Sequence, residues 1–279
     1  MQDKDSTKAA ASMAVNAGHF DDPLDRQGLA HFLEHMLFLG TDQYPDSGSF
    51  NNFVSQAGGN TNAWTGTEHT CYFFDINNQE FEQALTQFSR FFIAPLLNSA
   101  ETEKERNAIE AEFKLKIKDD GRRIYQAHKE TVNPAHPFAK FSVGNLQTLA
   151  DRERCISDEL RDFFNSQYQA QWMTLVICAN ETLDTLQSWA QTYFGAIKGN
   201  KNLKKPEISE PLYRKQDIGK ILHIEPHKHM QKLIISFAMP NIDDFYRHKT
   251  VSFIAHLLGY EGAGSLYSIL KEQGWINAL

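Results

Sequence analysis

The chain predicts an α+β fold, helices covering a mainly antiparallel sheet, and three features of its 279 residues predict it. Residues 29–40, LAHFLEHMLFLG, leave almost no polar face, which suits a buried helix closed by Gly40. Residues 60–76, NTNAWTGTEHTCYFFDI, are β-branched and aromatic around Gly66, the pattern of a strand, a turn and a second strand. An apolar run at 172–179 precedes an amphipathic one at 181–194, strand then helix.

The other elements follow in order. Residues 8–17, KAAASMAVNA, suit a strand of small residues, and 21–26 a polar turn around Pro23. GSFNNFVSQAGG, 48–59, reads as a helix ending in glycines. Two more helices are expected at 79–95 and 101–118, split by Pro95 and the cap signal Asn98–Ser99. Residues 133–137 read as loop and 158–168 as a short helix. KGNKNLKKPEISEP, 198–211, is polar, basic and without period, so the run Lys198–Lys205 is expected to be a solvated linker rather than an anion site. Beyond it, strands are expected at 219–225 and 231–238 and a helix at 244–258. The expected organisation is a first domain over 1–200, a linker over 201–211 and the start of a second domain over 212–279.

Composition excludes several classes. The chain is 41% hydrophobic and 23% charged, enough to build a core. Mean hydropathy is −0.48, and no run of eighteen apolar residues offers a membrane span. Lys+Arg is 28 against Asp+Glu 35, a net charge of −7, which argues against nucleic acid as a partner. Cys71, Cys155 and Cys178 are too scattered for a disulfide framework or a cysteine-based zinc site. MQDKDSTKAA lacks the apolar stretch of a signal peptide.

An internal repeat is visible. HFLEH at 31–35 matches SFIAH at 252–256 with a constant offset of 221. Gly48-Ser49-Phe50 matches Gly264-Ser265-Leu266 with an offset of 216, and leads to Gln56-Ala57-Gly58 as the second leads to Gln273-Gly274. The second copy has Ser252 where the first has His31 and Ala255 where it has Glu34, so it is expected to lack whatever chemistry those residues perform. A second copy as long as the first would not fit after residue 212, so the chain is expected to be a fragment of a larger protein.

His31, Glu34 and His35 form H-x-x-E-H. On a helix, residues i and i+4 share a face, so both imidazoles can reach one metal, with the carboxylate beside them. Two histidines and a carboxylate suit zinc with an open position for water, and a neighbouring carboxylate can take that water's proton. This is the inverzincin spacing. A third ligand can come from ETEKERNAIEAEFKLK, where Glu101, Glu105, Ala108 and Glu112 share one face while Glu103 and Glu110 look more exposed. Of Glu105 and Glu112, one would ligate and the other support a histidine. The alternative is that both lie on a solvated helix face. Elsewhere, Trp172, Trp189 and Trp275 are expected in the core or an interface, and His223, His227 and His229 in an exposed turn.

HFLEHMLFLGT, GGNTNAWTGTEHTCYFFD and ERNAIEAEFK resemble the insulinase/pitrilysin family of zinc metallopeptidases, in its long-chain insulysin and pitrilysin branch. GYEGAGSLYSILKEQGWINAL resembles the second domain of the same branch. The resemblance implies homologous domains of α/β sandwich type, four in a full-length enzyme, arranged as two halves around a chamber. It implies one Zn2+ per chain on His31, His35 and Glu112, Glu34 as general base, Glu105 supporting a zinc-binding histidine, and Asn62 and Ala63 on the edge strand that holds the substrate peptide. The family's strand with an Asn-Gly turn ahead of the first segment is lacking, and its C-terminal half, which supplies Arg and Tyr groups to the substrate site, would be a missing partner.

The expected function is therefore zinc-dependent metalloendopeptidase action on peptides and small proteins; the alternative is a non-catalytic peptide-binding or scaffold member of the same fold. Taken alone, the 279 residues are expected to hold zinc with little activity and to self-associate through Phe253, Leu257, Leu258 and Leu266. No membrane partner is expected. A pitrilysin-like enzyme would be periplasmic, an insulysin-like one cytoplasmic.

Overall fold

The computed structural model describes the chain over residues 1–279, apart from the side chain of Asp243. It forms two compact units, Met1–Met230 and Gln231–Leu279.

The first unit is built on an antiparallel sheet of four strands, β1 (Lys8–Val15), β2 (Asn60–Thr65), β3 (Thr70–Asn77) and β4 (Met173–Cys178), in the order β2-β3-β1-β4. Side chains alternate across a strand, so one face carries Ala9, Ala11, Met13 and Val15 of β1 with Tyr72, Phe74 and Ile76 of β3, all buried. The small residues of β1 sit opposite large ones, Ala9 against Ile76 and Ala11 against Phe74, which leaves room for the aromatic core. The other face is open, with Trp64, Phe73 and Val176 exposed.

Helices cover the buried face: α1 (Leu29–Met36), α2 (Ser49–Gln56), α3 (Phe81–Ile93), α4 (Ser99–Lys116), α5 (Asp120–Lys129), α6 (Ile156–Gln167) and α7 (Leu183–Phe194) contribute to this unit. Phe50 of α2 and Phe88 and Phe91 of α3 pack edge-on or stacked around Phe74 and one another. Full burial of each such ring stabilises the fold by about 1.5–3 kcal/mol.

Several boundaries differ from expectation. The helix expected to run to Gly40 stops at Met36, because Phe38 and Leu39 bond three residues back rather than four and tighten the chain before Gly40, at φ +120°. Helix α5 is not apparent from its sequence. It is almost wholly polar, and its start is set by the Asp119 carboxylate accepting the Arg122 N–H at 2.8 Å. Residues 201–211 hold no helix or strand. Lys205 pairs with Asp21 at 2.8 Å, and Asn133 takes the carbonyls of Pro211 and Leu212.

The strands expected at 219–225 and 231–238 do not form. Neither run pairs with a neighbour, and without a ladder their apolar residues stand in the open, Ile221 and Phe237 among them. The second unit, Gln231–Leu279, holds the 3-10 turn Asp243–His248 and the helices α8 (Thr250–Leu258) and α9 (Leu266–Glu272). No strand occurs in it among the described residues. Trp275, expected in a core or interface, is 73% exposed, whereas Trp189 packs on the core of the first unit and Trp172 is half-buried beneath Lys205.

Candidate metal centre

Helix α1 is placed before it is functional. Its first turn leaves backbone N–H groups without helical partners, and the buried Asp22 carboxylate takes two of them, from Gly28 and Ala30, at 2.7 Å each. Burial pushes the Asp22 carboxyl up to about 7, against those two hydrogen bonds. Gly28 stands at φ +97°, and a Cβ there would lie 2.3 Å from the Cα of Gly144. That close approach brings the 143–144 loop over the helix.

The Val143 carbonyl then accepts from His31 Nδ1 at 2.8 Å. On α4, capped by Asn98 through the Glu101 N–H, Thr102 and Ile109 are buried, and this face turns Glu105 and Glu112 toward α1. Ala108, expected on that face, is exposed, since Ile109 takes the inward position. Glu103 is exposed, while Glu110 is partly covered and accepts the Leu146 N–H. Glu105 Oε1 lies 2.7 Å from His35 Nδ1.

These two contacts fix the tautomers. A carbonyl and a carboxylate only accept, so each Nδ1 carries a proton, and in the neutral ring Nε2 is left with its lone pair for a metal. The two Nε2 atoms face one another at 3.2 Å, and Glu112 Oε2 lies 3.6 Å from each. Three atoms able to ligate a metal thus converge, and a cation among them would satisfy all three at once. A tetrahedral zinc with ligands at about 2.0–2.2 Å separates them by roughly 3.3–3.6 Å, so the triangle fits. Among the described residues His31, His35 and Glu112 are the only such group that could hold a metal ion, and His223, His227 and His229 form none.

Electrostatics sorts the members. Burial, then the neighbouring His35, pulls His31 down to about 4. Burial also acts to lower His35, but the hydrogen bond and charge of Glu105, then Glu34 and Glu112, leave it raised. Burial acts to raise Glu112, but the Lys116 ammonium bonded to Oε1 and the imidazoles leave its carboxyl below the ordinary range. Glu34, 8% exposed, is raised by burial. Its Oε2 accepts the Thr65 hydroxyl, and among the described residues no hydrogen bond reaches Oε1.

Asn62 and Ala63 lie on β2, at the open edge of the sheet. The Ala63 N–H donates to the side chain of Asn62 at 2.9 Å. The strand ends at Thr65, beside Glu34.

Sequence reasoning missed Asp22, Thr65, Lys116 and the Val143 carbonyl. Asp22 stands six residues ahead of the cap position Gly28, too far for a cap pattern to reveal it. A backbone carbonyl such as that of Val143 leaves no trace in residue type.

Residues 1–135 match the family described as insulinase, peptidase family M16, and residues 155–279 match the peptidase M16 inactive domain. The chain is 40% identical to the A-factor-processing enzyme of Saccharomyces cerevisiae and 35% identical to the insulin-degrading enzyme of Homo sapiens, in both cases over 100% of this chain and 28% of the relative. It thus spans about 28% of the length of these curated relatives. The crystal structure of pitrilysin superposes with a TM-score of 0.88 at 32% identity, over 99% of this chain and 30% of that one. A protease from Helicobacter pylori shares the fold, with a TM-score of 0.65 at 19% identity over 74% of this chain and 50% of that one. With two matches to the same family in tandem and a convergent His–His–Glu cluster in the first of them, the chain belongs to the insulinase family, peptidase family M16.

Proposed function

We propose that the protein is a zinc-dependent metalloendopeptidase acting on peptides, with His31, His35 and Glu112 holding the ion and Glu34 as its general base. The observation that carries this is the convergence of three metal-ligating atoms within 3.2–3.6 Å of one another beside the buried Glu34 carboxylate, which Thr65 holds by Oε2. When bound, zinc supplies Lewis acidity, which makes water a nucleophile at neutral pH and polarises a carbonyl.

The residues of the chain do the rest. An extended peptide adds to the open edge of β2, its backbone taking the place of the Asn62 side chain at the Ala63 N–H. That strand leads to Thr65, so the scissile bond is delivered to Glu34. Thr65 holds Oε2, and Oε1 accepts the proton of the attacking water as the new C–O bond forms. Burial raises the proton affinity of Glu34, which suits it to a transfer near neutral pH. Glu34 then passes that proton to the departing amide nitrogen as the C–N bond breaks. Glu105 keeps the proton of His35 on Nδ1 throughout.

Glu34→Gln in the full-length protein tests this. The amide keeps the shape but accepts no proton, so kcat on a quenched-fluorescent peptide is expected to fall about 10²–10⁴-fold while the zinc content is unchanged. Wild-type turnover in that variant would remove Glu34 from the role.

A further inference from the structure

Residues 18–22 grip both halves of the site. Asp22 sets the start of α1, as described. Three residues earlier, the backbone N–H and the ring Nδ1 of His19 both meet the Gly66 carbonyl at 3.1 Å, and the Phe20 N–H meets the Thr67 carbonyl at 2.9 Å. A Cβ at Gly18 would stand 2.5 Å from the Thr67 oxygen, so this segment is pressed against the β2–β3 turn. Gly66 follows Thr65, whose hydroxyl holds Glu34.

Behind His19 lies Lys129, the last residue of α5, fully buried, with its Nζ 3.4 Å from His19 Nε2. Among the described residues no carboxylate is bonded to it; the rings of Tyr125 and Phe138 lie 5.4 and 5.5 Å from the ammonium. A buried cation so partnered costs stability, and the peptidase chemistry above makes no use of it. An ammonium only donates, so the Nε2 facing it is the bare nitrogen and the ring proton sits on Nδ1, toward Gly66. Burial first, and the Lys129 charge second, hold His19 down to about 4, so the ring is neutral near pH 7. Burial brings Lys129 to about 8, so it is mostly charged there.

We propose that His19 and Lys129 are positioning residues for Glu34. The Lys129 ammonium fixes the His19 proton on Nδ1, and that N–H holds the Gly66 carbonyl so that the turn presents the Thr65 hydroxyl to Glu34 Oε2. The kinetic consequence rests on the peptidase function proposed above; the geometry does not.

The test uses the full-length, zinc-loaded protein and its variants Lys129→Met, His19→Leu, His19→Gln and Thr65→Val. Lys129→Met and His19→Leu are expected to lower kcat roughly 10–100-fold with KM and zinc content unchanged, since small displacements of a catalytic group act on the chemical step. His19→Gln, which can donate to Gly66 and accept from Lys129, recovers most of the rate. In a Thr65→Val background the Lys129→Met loss largely disappears, because both act through Glu34. Amide hydrogen exchange over 65–70 rises in His19→Leu and not in His19→Gln. Unchanged kcat, a His19→Gln variant as slow as His19→Leu, or losses that multiply would overturn the proposal. A wild-type protein inactive on peptides would instead defeat the peptidase function. The pin is then still decided by 15N NMR of the wild type, which needs no variant: the Nδ1–H tautomer of His19 supports it and the Nε2–H tautomer refutes it.

Discussion

Helices α1 and α2 and helices α8 and α9 are two renderings of one motif. Helix α1 starts at Leu29 and α8 at Thr250, the same offset of 221 that aligns HFLEH with SFIAH. Glycines with positive φ bracket both second helices, Gly48 and Gly58 at +74° around α2, Gly264 at +77° and Gly274 at +71° around α9. The local signals are therefore repeated, and so is the local structure. What differs is what surrounds it. Phe32 and Leu33 are buried against a sheet, whereas their counterparts Phe253 and Ile254 are 64% and 42% exposed, in a unit with no strand among the described residues. The chemistry differs by two residues, Ser252 for His31 and Ala255 for Glu34. A helix is specified by its own sequence, its burial by a sheet, and its reactivity by a few side chains and the helix that faces them.

The widest gap between the two regions is in stability. Phe32→Ala opens a cavity in the core and is expected to cost about 3–5 kcal/mol. In these 279 residues the same change at Phe253 removes a ring that is 64% exposed and should stay within about 0.5 kcal/mol. Urea unfolding of the two variants measures both, and equal costs would break the comparison. Next in size is the change that makes α1 resemble α8. His31→Ser removes a proposed ligand itself, and its effect on zinc affinity, read by chelator competition, should exceed the roughly 100-fold upper end seen for outer partners. Zinc retained at wild-type affinity would show that the three donors are not the site.

The smallest effect concerns pH. Zinc needs bare imidazoles, so protons compete with it. His35 is raised above its ordinary 6.5 and takes a proton first, while His31, at about 4, stays neutral. As pH falls from 7.5 to 5.5, affinity should drop as His35 takes up one proton, with His31 adding none. Glu105→Gln removes the main cause of the His35 shift and should move this limb to lower pH. Equal affinity at both pH values, or a two-proton slope, would contradict the assignment.

Much of this was legible in the residues. The apolar run around His31 and the aromatic hairpin at 60–76 carry strong periodic signals, and both form. The spacing of Glu105 and Glu112 put both on one face of α4, but only the packing of Ile109 and Thr102 decides which carboxylate meets Nδ1 and which meets the two Nε2 atoms. Helix α5 was illegible because its buried positions are Asp120 and Lys129, which sequence patterns count as surface. The runs at 219–225 and 231–238 read as strands from composition, yet a strand exists only with a partner to bond. Thr65 and Val143 act on the site through one hydroxyl and one carbonyl, brought there by the turn at Gly66 and the contact of Gly28 with Gly144.

The central claim is that the first copy of the motif holds one zinc on two imidazoles and a carboxylate. X-ray absorption at the zinc edge of the purified protein, with elemental analysis for stoichiometry, tests it most directly. One zinc per chain is expected, with nitrogen and oxygen neighbours at about 2.0–2.2 Å. A folded protein free of zinc, or a shell of sulfur at about 2.3 Å from its cysteines, would contradict it.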